Sequence, residues 1–384
     1  MADKKSFNDD EITDPGIQKP RTQPARTAPA APAPRAPEGK MPDLGAASAL
    51  MNDPEITEIM INDVRNIIVE RAGKMLVAPA AIDSLEELGR ITRNLLDSVG
   101  RALTPEHPFV DTMLPDGSRA HIIGPPLTQN GPCITIRKFP ARKFALEDLV
   151  AHGMLDRRMD YLLRACVLGK LNILISGGTS SGKTTLLNAL IALIPKSERI
   201  VTIEDTPELA VYQPNSVRLQ TKLATGTSPA VTPRDLTVNA LRMRPDRIII
   251  GESRREEAFD ILQAMNTGHE GSMTTLHSNS TKDAIARFET LCLLANSQLP
   301  LQAIRRQISS AIDVIVQLKR FRDGQRRIVA ITEVTGIEGG DTVTQQDIFL
   351  FDHEPGEFKC SGFVPSFLDR LKDSGIDIPH TFFA

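Results

Sequence analysis

Residues Gly177 to Thr184 read G-G-T-S-S-G-K-T and fit the pattern G-x-x-x-x-G-K-[ST] without a mismatch. The chemistry this suits is the holding of phosphates. A polyphosphate is a dense anion, best held by several backbone N–H groups converging at a helix N-terminus, where the helix dipole adds partial positive charge. Gly177, Gly178 and Gly182 have no Cβ, so the backbone can turn tightly and come close to phosphate oxygens. Thr179, Ser180, Ser181 and Thr185 complete the cradle. Lys183 is placed to reach the β- and γ-phosphates, and the Thr184 hydroxyl to ligate Mg2+.

Such a loop works only between particular elements. Leu171 to Ile175 is a short apolar run that predicts a buried parallel strand, and Thr185 to Leu193 has helical spacing. Strand, loop and helix in that order separate this stretch from a chance glycine-rich turn. The chain is expected to bind a nucleoside triphosphate.

Three later runs predict strands that end in polar groups. Ile200–Ile203 leads into Glu204, Arg247–Ile250 into Gly251-Glu252, and Ser272–Leu276 into His277. In open parallel sheets, ligands bind beyond the carboxyl ends of the strands. Releasing a γ-phosphate to water needs one group to orient and deprotonate that water and another to hold Mg2+. Glu204 and Glu252 supply both, which favours hydrolysis over binding alone; which of them activates water stays open. Glu252 stands where aspartate is usual and is assigned to the metal with Thr184. His277, beside the phosphates, is placed to relay occupancy of the γ-position. His269 and His277 make a weak metal pair, eight residues apart across a predicted strand with no third ligand near.

At 384 residues the chain has length for two domains, and a net charge of −3 argues against general nucleic-acid affinity. The four cysteines stand far apart, without a C-x-x-C pair, as reduced thiols would. The acidic start MADKKSFNDDEITD lacks the apolar core of a signal peptide, and no apolar run is long enough to span a bilayer.

Residues 1–45, rich in Pro, Ala and Arg, are expected to be a disordered tail, with Arg21, Arg26 and Arg35 available to a partner. Residues 46–143 predict a small α+β domain, 144–155 a linker, and 156–384 an α/β domain in which strands and helices alternate around a parallel sheet. Arg119, Arg137, Lys138 and Arg142 crowd the end of the first domain; by pattern alone they form an ordinary solvated face.

Four segments in this order resemble those of the secretion/pilus ATPase superfamily: GGTSSGKT, TIEDTPEL (Thr202 to Leu209), RPDRIIIGESR (Arg244 to Arg254) and GHEGSMTTLHSN (Gly268 to Asn279). The strings DPEITEIMIN, LPDGSRAHIIGPPL, GPCITIRKF, LRMRPDRIIIGESR and ITEVTGIEGGDTV are similar to those of its CpaF-like, tight-adherence (Flp) pilus branch. The resemblance spans roughly Leu50 to Phe351. It implies a C-terminal RecA-like ATPase domain, a PAS-like N-terminal domain, and a homo-hexamer using ATP and Mg2+. It implies that ATP lies between the two domains and against a neighbouring subunit, with Arg119 and Arg137 approaching the phosphates and Arg242 and Arg254 as lesser candidates. It also implies a ring at the cytoplasmic face of the inner membrane, docked on integral platform proteins, that drives pilus assembly, retraction or related secretion. The tail replaces a helical region many relatives carry, and Asn215 stands where that branch is expected to have histidine.

Other readings compete. A type IV secretion ATPase shares every catalytic motif. A RecA-like nucleic-acid motor is disfavoured by the charge and by a chain with no Trp and two Tyr. A GTP switch would need an Asn-Lys-x-Asp segment, which is missing, and a non-catalytic assembly protein would bind nucleotide without turnover.

Overall fold

The computed structural model describes residues 40–71, 73–139, 144–222, 224, 228–295 and 298–384. The expectations for residues 1–39 and for Arg142 lie outside them. The chain forms two compact units: one comprises Phe144–Phe321 and Gln325–Ala384, the other the described residues before Phe144 with Arg322–Gly324.

The N-terminal unit begins with the short helix α1 (Ser48–Asn52) and the hairpin strands β1 (Ile56–Ile61) and β2 (Ile67–Arg71). The side chain of Asp63 accepts from the backbone N–H groups of Arg65 and Asn66, which sets the turn between them. Strand β3 (Lys74–Val77), helix α2 (Leu85–Asp97) and strands β4 (Phe109–Met113), β5 (Arg119–Ile123) and β6 (Cys133–Arg137) follow. The sheet is antiparallel, in the order β3-β2-β1-β6-β5-β4. Alternate residues Ile59, Ile61, Ile134, Ile136, Ala120 and Ile122 bury one face against Leu88, Ile91 and Leu95 of α2. Ser84 caps α2, its hydroxyl accepting from the Glu87 N–H at 3.1 Å.

The second unit opens with α3 (Leu146–Ala151) and α4 (Arg157–Leu168). In residues 144–155, expected as a linker, Leu146, Leu149, Met154 and Leu155 are buried in this unit's core. Then come β7 (Ile173–Gly177), α5 (Lys183–Ile191), β8 (Ile200–Glu204), β9 (Ser216–Gln220), α6 (Pro233–Ala240), β10 (Arg247–Ile250), α7 (Glu257–Asn266), β11 (Met273–Leu276), α8 (Thr281–Ala295) and α9 (Leu301–Ala311). The chain ends with β12 (Val314–Arg320), β13 (Arg326–Glu338), β14 (Thr342–Asp352), β15 (Glu357–Cys360) and α10 (Leu368–Asp373).

The nine strands run β15-β14-β13-β12-β7-β11-β10-β8-β9. From β12 to β9 every neighbouring pair is parallel, and β13 to β15 add an antiparallel wing. Helices cover both faces. Ile173 and Ile175 pack with α3, α4 and α5, whereas Leu174 between them packs with the α7–α9 side. That two-sided burial is why Ile173, Leu174 and Ile175 are apolar in succession rather than alternating with polar residues. The second unit is thus a mixed α/β domain built on a largely parallel sheet, and the N-terminal unit a small α+β domain.

One consequence of the order matters for chemistry. Strand β11 lies between β7 and β10, and β8 lies beside β10. The ends of these strands bring His277, Glu252 and Glu204 to one edge of the sheet, in that order from the phosphate loop.

Candidate nucleotide site

The loop Gly177–Gly182 leaves β7 and enters α5 with Lys183 as the first helical residue. Its glycines are needed for different reasons. A Cβ on Gly177 would lie 2.7 Å from the Leu318 carbonyl oxygen of the neighbouring strand, and one on Gly182 2.9 Å from Met154 Cε, at a backbone φ of +99°. A Cβ on Gly178 would meet nothing within 4 Å. Gly178 thus leaves open the space that a phosphate needs, while the other two let the loop pack. Thr179 is exposed, Ser180 takes a left-handed φ of 54°, and Thr184 and Thr185 are half-buried in the first turn of α5. Ser181 Oγ is buried with no hydrogen-bond partner among the described residues.

Lys183 is buried, and its ammonium donates to the carbonyls of Gly178 at 2.9 Å and Gly177 at 3.0 Å. It also stands 3.5 Å from His277 Nδ1. A lysine ammonium only donates, so Nδ1 is the acceptor and the proton of neutral His277 sits on Nε2. Burial, and next the Lys183 charge, hold the His277 pKa below its ordinary value, which favours that neutral form. Nε2 lies 2.8 Å from Glu252 Oε1, although the alignment falls short of a hydrogen bond. Oε1 is a buried oxygen without a hydrogen-bond donor among the described residues, whereas Oε2 is held by the Arg254 guanidinium at 2.5 and 2.7 Å. Arg254 also reaches Asp205 at 3.6 Å. Lys183, His277, Glu252 and Arg254 therefore form one connected line across the strand ends.

Glu204 is turned differently. Its Oε1 accepts the backbone N–H groups of Glu208 and Leu209, both at 2.7 Å, and Oε2 is 4.0 Å from Arg218 on β9. Burial pushes its pKa up to about 7 against the opposing pull of those two N–H groups.

The site passes a chemical test for a magnesium-bound polyphosphate. It offers a loop open at Gly178, a lysine inside it, a threonine hydroxyl at the helix start, and a buried carboxylate oxygen still able to accept from a metal-bound water.

The histidines do not form a metal pair: His269 precedes β11 and faces the Ala264 carbonyl at 3.3 Å, while His277 follows it, so the strand separates them. In the N-terminal unit, Arg119 on β5 and Arg137 on β6 are direct cross-strand partners. Glu58, the partner of Arg137 on β1, approaches its Nε to 3.8 Å. Lys138, by contrast, is tied to the Asp53 carbonyl at 2.5 Å and serves the fold.

Residue patterns alone missed several groups. Ser176 and Ser278 share a hydroxyl contact of 2.6 Å, and Gln317 donates to the Ser278 carbonyl at 3.3 Å, bracing the turn after His277. The signal was present in Gln317, an amide within the apolar run Val314 to Leu318. Arg326 grips the Ser180 carbonyl at 2.8 Å, and nothing in its local sequence marks it.

The family described as "Type II/IV secretion system protein" matches residues 42–347. The chain is 36% identical over 297 residues to the conjugal transfer protein TrbB of Rhizobium radiobacter, covering 75% of this chain and 86% of that one. It is 35% identical over 326 residues to the type IV secretion system protein VirB11 of Bartonella quintana (strain Toulouse), covering 74% and 90%. Among solved structures it is similar to the pilus retraction motor PilT with bound ADP, at a TM-score of 0.52 and 20% identity, covering 84% of this chain and 83% of that one. It is also similar to the Yersinia pseudotuberculosis ATPase DotB, at a TM-score of 0.55 and 21% identity, covering 73% and 75%. At these identities the structures speak for the fold, and the sequence relatives speak for descent. With its phosphate loop, acidic strand ends and two-unit architecture, this chain belongs to the type II/IV secretion system protein family.

Proposed function

We propose that this protein is a motor ATPase that hydrolyses ATP to drive assembly or retraction of a tight-adherence (Flp) type pilus, or related secretion. The observation that supports this best is the line from Lys183 through His277 to Glu252, which joins the phosphate loop to a buried carboxylate with an open acceptor oxygen. In this reading residues 177–185 hold the triphosphate, with Lys183 set against the charge of its outer phosphates. Thr184 and Glu252 hold Mg2+, which when bound neutralises phosphate charge. Glu204 takes the proton of the attacking water, a task suited to a carboxylate whose pKa lies near neutrality. His277 passes the state of the γ-position from Lys183 to Glu252. Arg119 and Arg137 bring positive charge to the phosphates of this or a neighbouring subunit, with guanidinium forks that suit phosphate oxygens. The working form is a homo-hexamer at the cytoplasmic face of the inner membrane, bound to integral platform proteins. Among the described residues no helix is long and apolar enough to cross a membrane.

A type IV secretion motor is the second reading, supported by the VirB11 relative, which the chain covers nearly end to end. Phosphate release by wild type, Lys183→Ala and Glu252→Ala, with particle imaging of the oligomer, tests the common core. Both variants are expected to lose turnover, and persistent hydrolysis in Lys183→Ala would show the site to be misassigned. Deleting the gene, and scoring pilus display against export of secreted protein, separates the two systems.

A further inference from the structure

The loop that follows β8 is held from two sides. From the strand, Glu204 Oε1 accepts the N–H groups of Glu208 and Leu209 at 2.7 Å each. From the helix, Asn188 of α5 grips the same loop with both ends of its amide. Its Nδ2 donates to the Glu208 carbonyl at 3.2 Å, and its Oδ1 accepts the Ala210 N–H at 2.8 Å. Helix α5 is the one whose first turn carries Lys183, Thr184 and Thr185. Asn188 lies just over one turn further on, so its amide moves with the phosphate-holding end.

The amide is otherwise unexpected there. Asn188 sits among Leu186, Leu187, Ala189 and Leu190, all buried, in a segment that packing alone would fill with apolar residues. Asparagine is also a weak helix former, so its place is explained by the loop rather than by α5. Arg218 on β9 closes the third side, donating to the Leu209 carbonyl at 2.8 Å.

We propose that Asn188 is a positioning residue that keeps the Glu204 carboxylate in register with the phosphate loop. The two backbone N–H groups that orient Glu204 belong to residues 208 and 209, and Asn188 binds residues 208 and 210. Any shift of α5 relative to β8 passes through this loop to the carboxylate. Misplacement of a reacting group by about 1 Å costs on the order of a hundredfold in rate, so a device that sets this distance acts on turnover rather than on binding. The inference rests on the reading of Glu204 as the group that works on water.

The test compares wild type, Asn188→Ala and Asn188→Asp, the last keeping the acceptor for Ala210 but losing the donor to Glu208. ATP turnover is measured with kcat and KM separated, together with amide hydrogen exchange at residues 205–211. Asn188→Ala is expected to lower kcat about ten- to a hundredfold with KM within about twofold, and to speed loop exchange about tenfold. Asn188→Asp is expected to fall between it and wild type. Unchanged kcat, or unchanged exchange at Glu208 to Ala210, would overturn the proposal. So would a variant that no longer binds nucleotide, since that would show a general structural role. If the wild type itself shows no turnover, the motor reading and the catalytic part of this inference fail together, while exchange still reports whether Asn188 holds the loop.

Discussion

Glu204 carries an ionisable group into a place where ionisation is costly. Its pKa is raised from an ordinary 4.5 to about 7, chiefly by burial. An acid whose folded value lies above its unfolded value binds a proton more readily when folded. Its contribution to stability is therefore full below pH 4.5 and is lost as pH rises towards 7. Glu204→Gln keeps the acceptor oxygen for the Glu208 and Leu209 N–H groups without the charge. It should be the more stable protein at pH 8, by up to about 3 kcal/mol, with little difference near pH 4, as unfolding at the two pH values would show. The same substitution should abolish turnover, and wild-type kcat should fall on the acid side with a midpoint near 7. An acid limb near pH 4 would remove Glu204 from the proton-accepting role. Residue patterns reached Glu204, Glu252, Lys183 and His277 because each ends a strand or loop with a recognisable period. They could not reach Arg326, whose contact with Ser180 joins residues 146 positions apart.

At the scale of elements, the phosphate loop makes two glycine positions separable. Gly177→Ala drives a methyl into the Leu318 carbonyl and should lower the thermal midpoint as well as nucleotide binding. Gly178→Ala adds a methyl to open space, so its midpoint should match wild type while nucleotide affinity drops at least about tenfold. Equal losses of stability in both would mean that the loop has no special space at Gly178. The cross-strand pair Arg119 and Arg137 offers a second contrast. Arg119→Gln should lower turnover about tenfold or more, with nucleotide affinity much less changed. Unaltered turnover would return the pair to an ordinary solvated face. The strands β7, β8, β10 and β11 and the helix after the phosphate loop were legible in the sequence as apolar runs and helical spacing. Strand β3 was not, because all of its residues are exposed, so no alternation marks it. The edge strand β9 shows no alternation either, each residue being half-buried or exposed.

At the scale of the whole molecule, the proposed ring makes subunits depend on one another. If Arg137 serves a neighbour's phosphates, mixing wild type with Arg137→Ala subunits should lower turnover more steeply than the fraction of variant, whereas independent subunits would give a straight line. Light scattering of the purified protein, expected to report a hexamer, must accompany that titration. The match over residues 42–347 shows that one family pattern covers most of both units, so the N-terminal unit belongs to the family's pattern along with the second.

The chain's own residues sufficed to mark the candidate phosphate loop, because its pattern is local: glycines, lysine and threonine fall within eight consecutive positions. They sufficed too for the inner strands β7, β8 and β10, which are buried on both faces and so are mostly apolar. Only the tertiary structure decided the neighbours. It put β11 between β7 and β10, set His277 between Lys183 and Glu252, turned Glu204 into its loop, and closed Asn188 over that loop. Strand order and side-chain partnership are settled by long-range packing and by the satisfaction of buried polar groups, and neither leaves a period in the sequence.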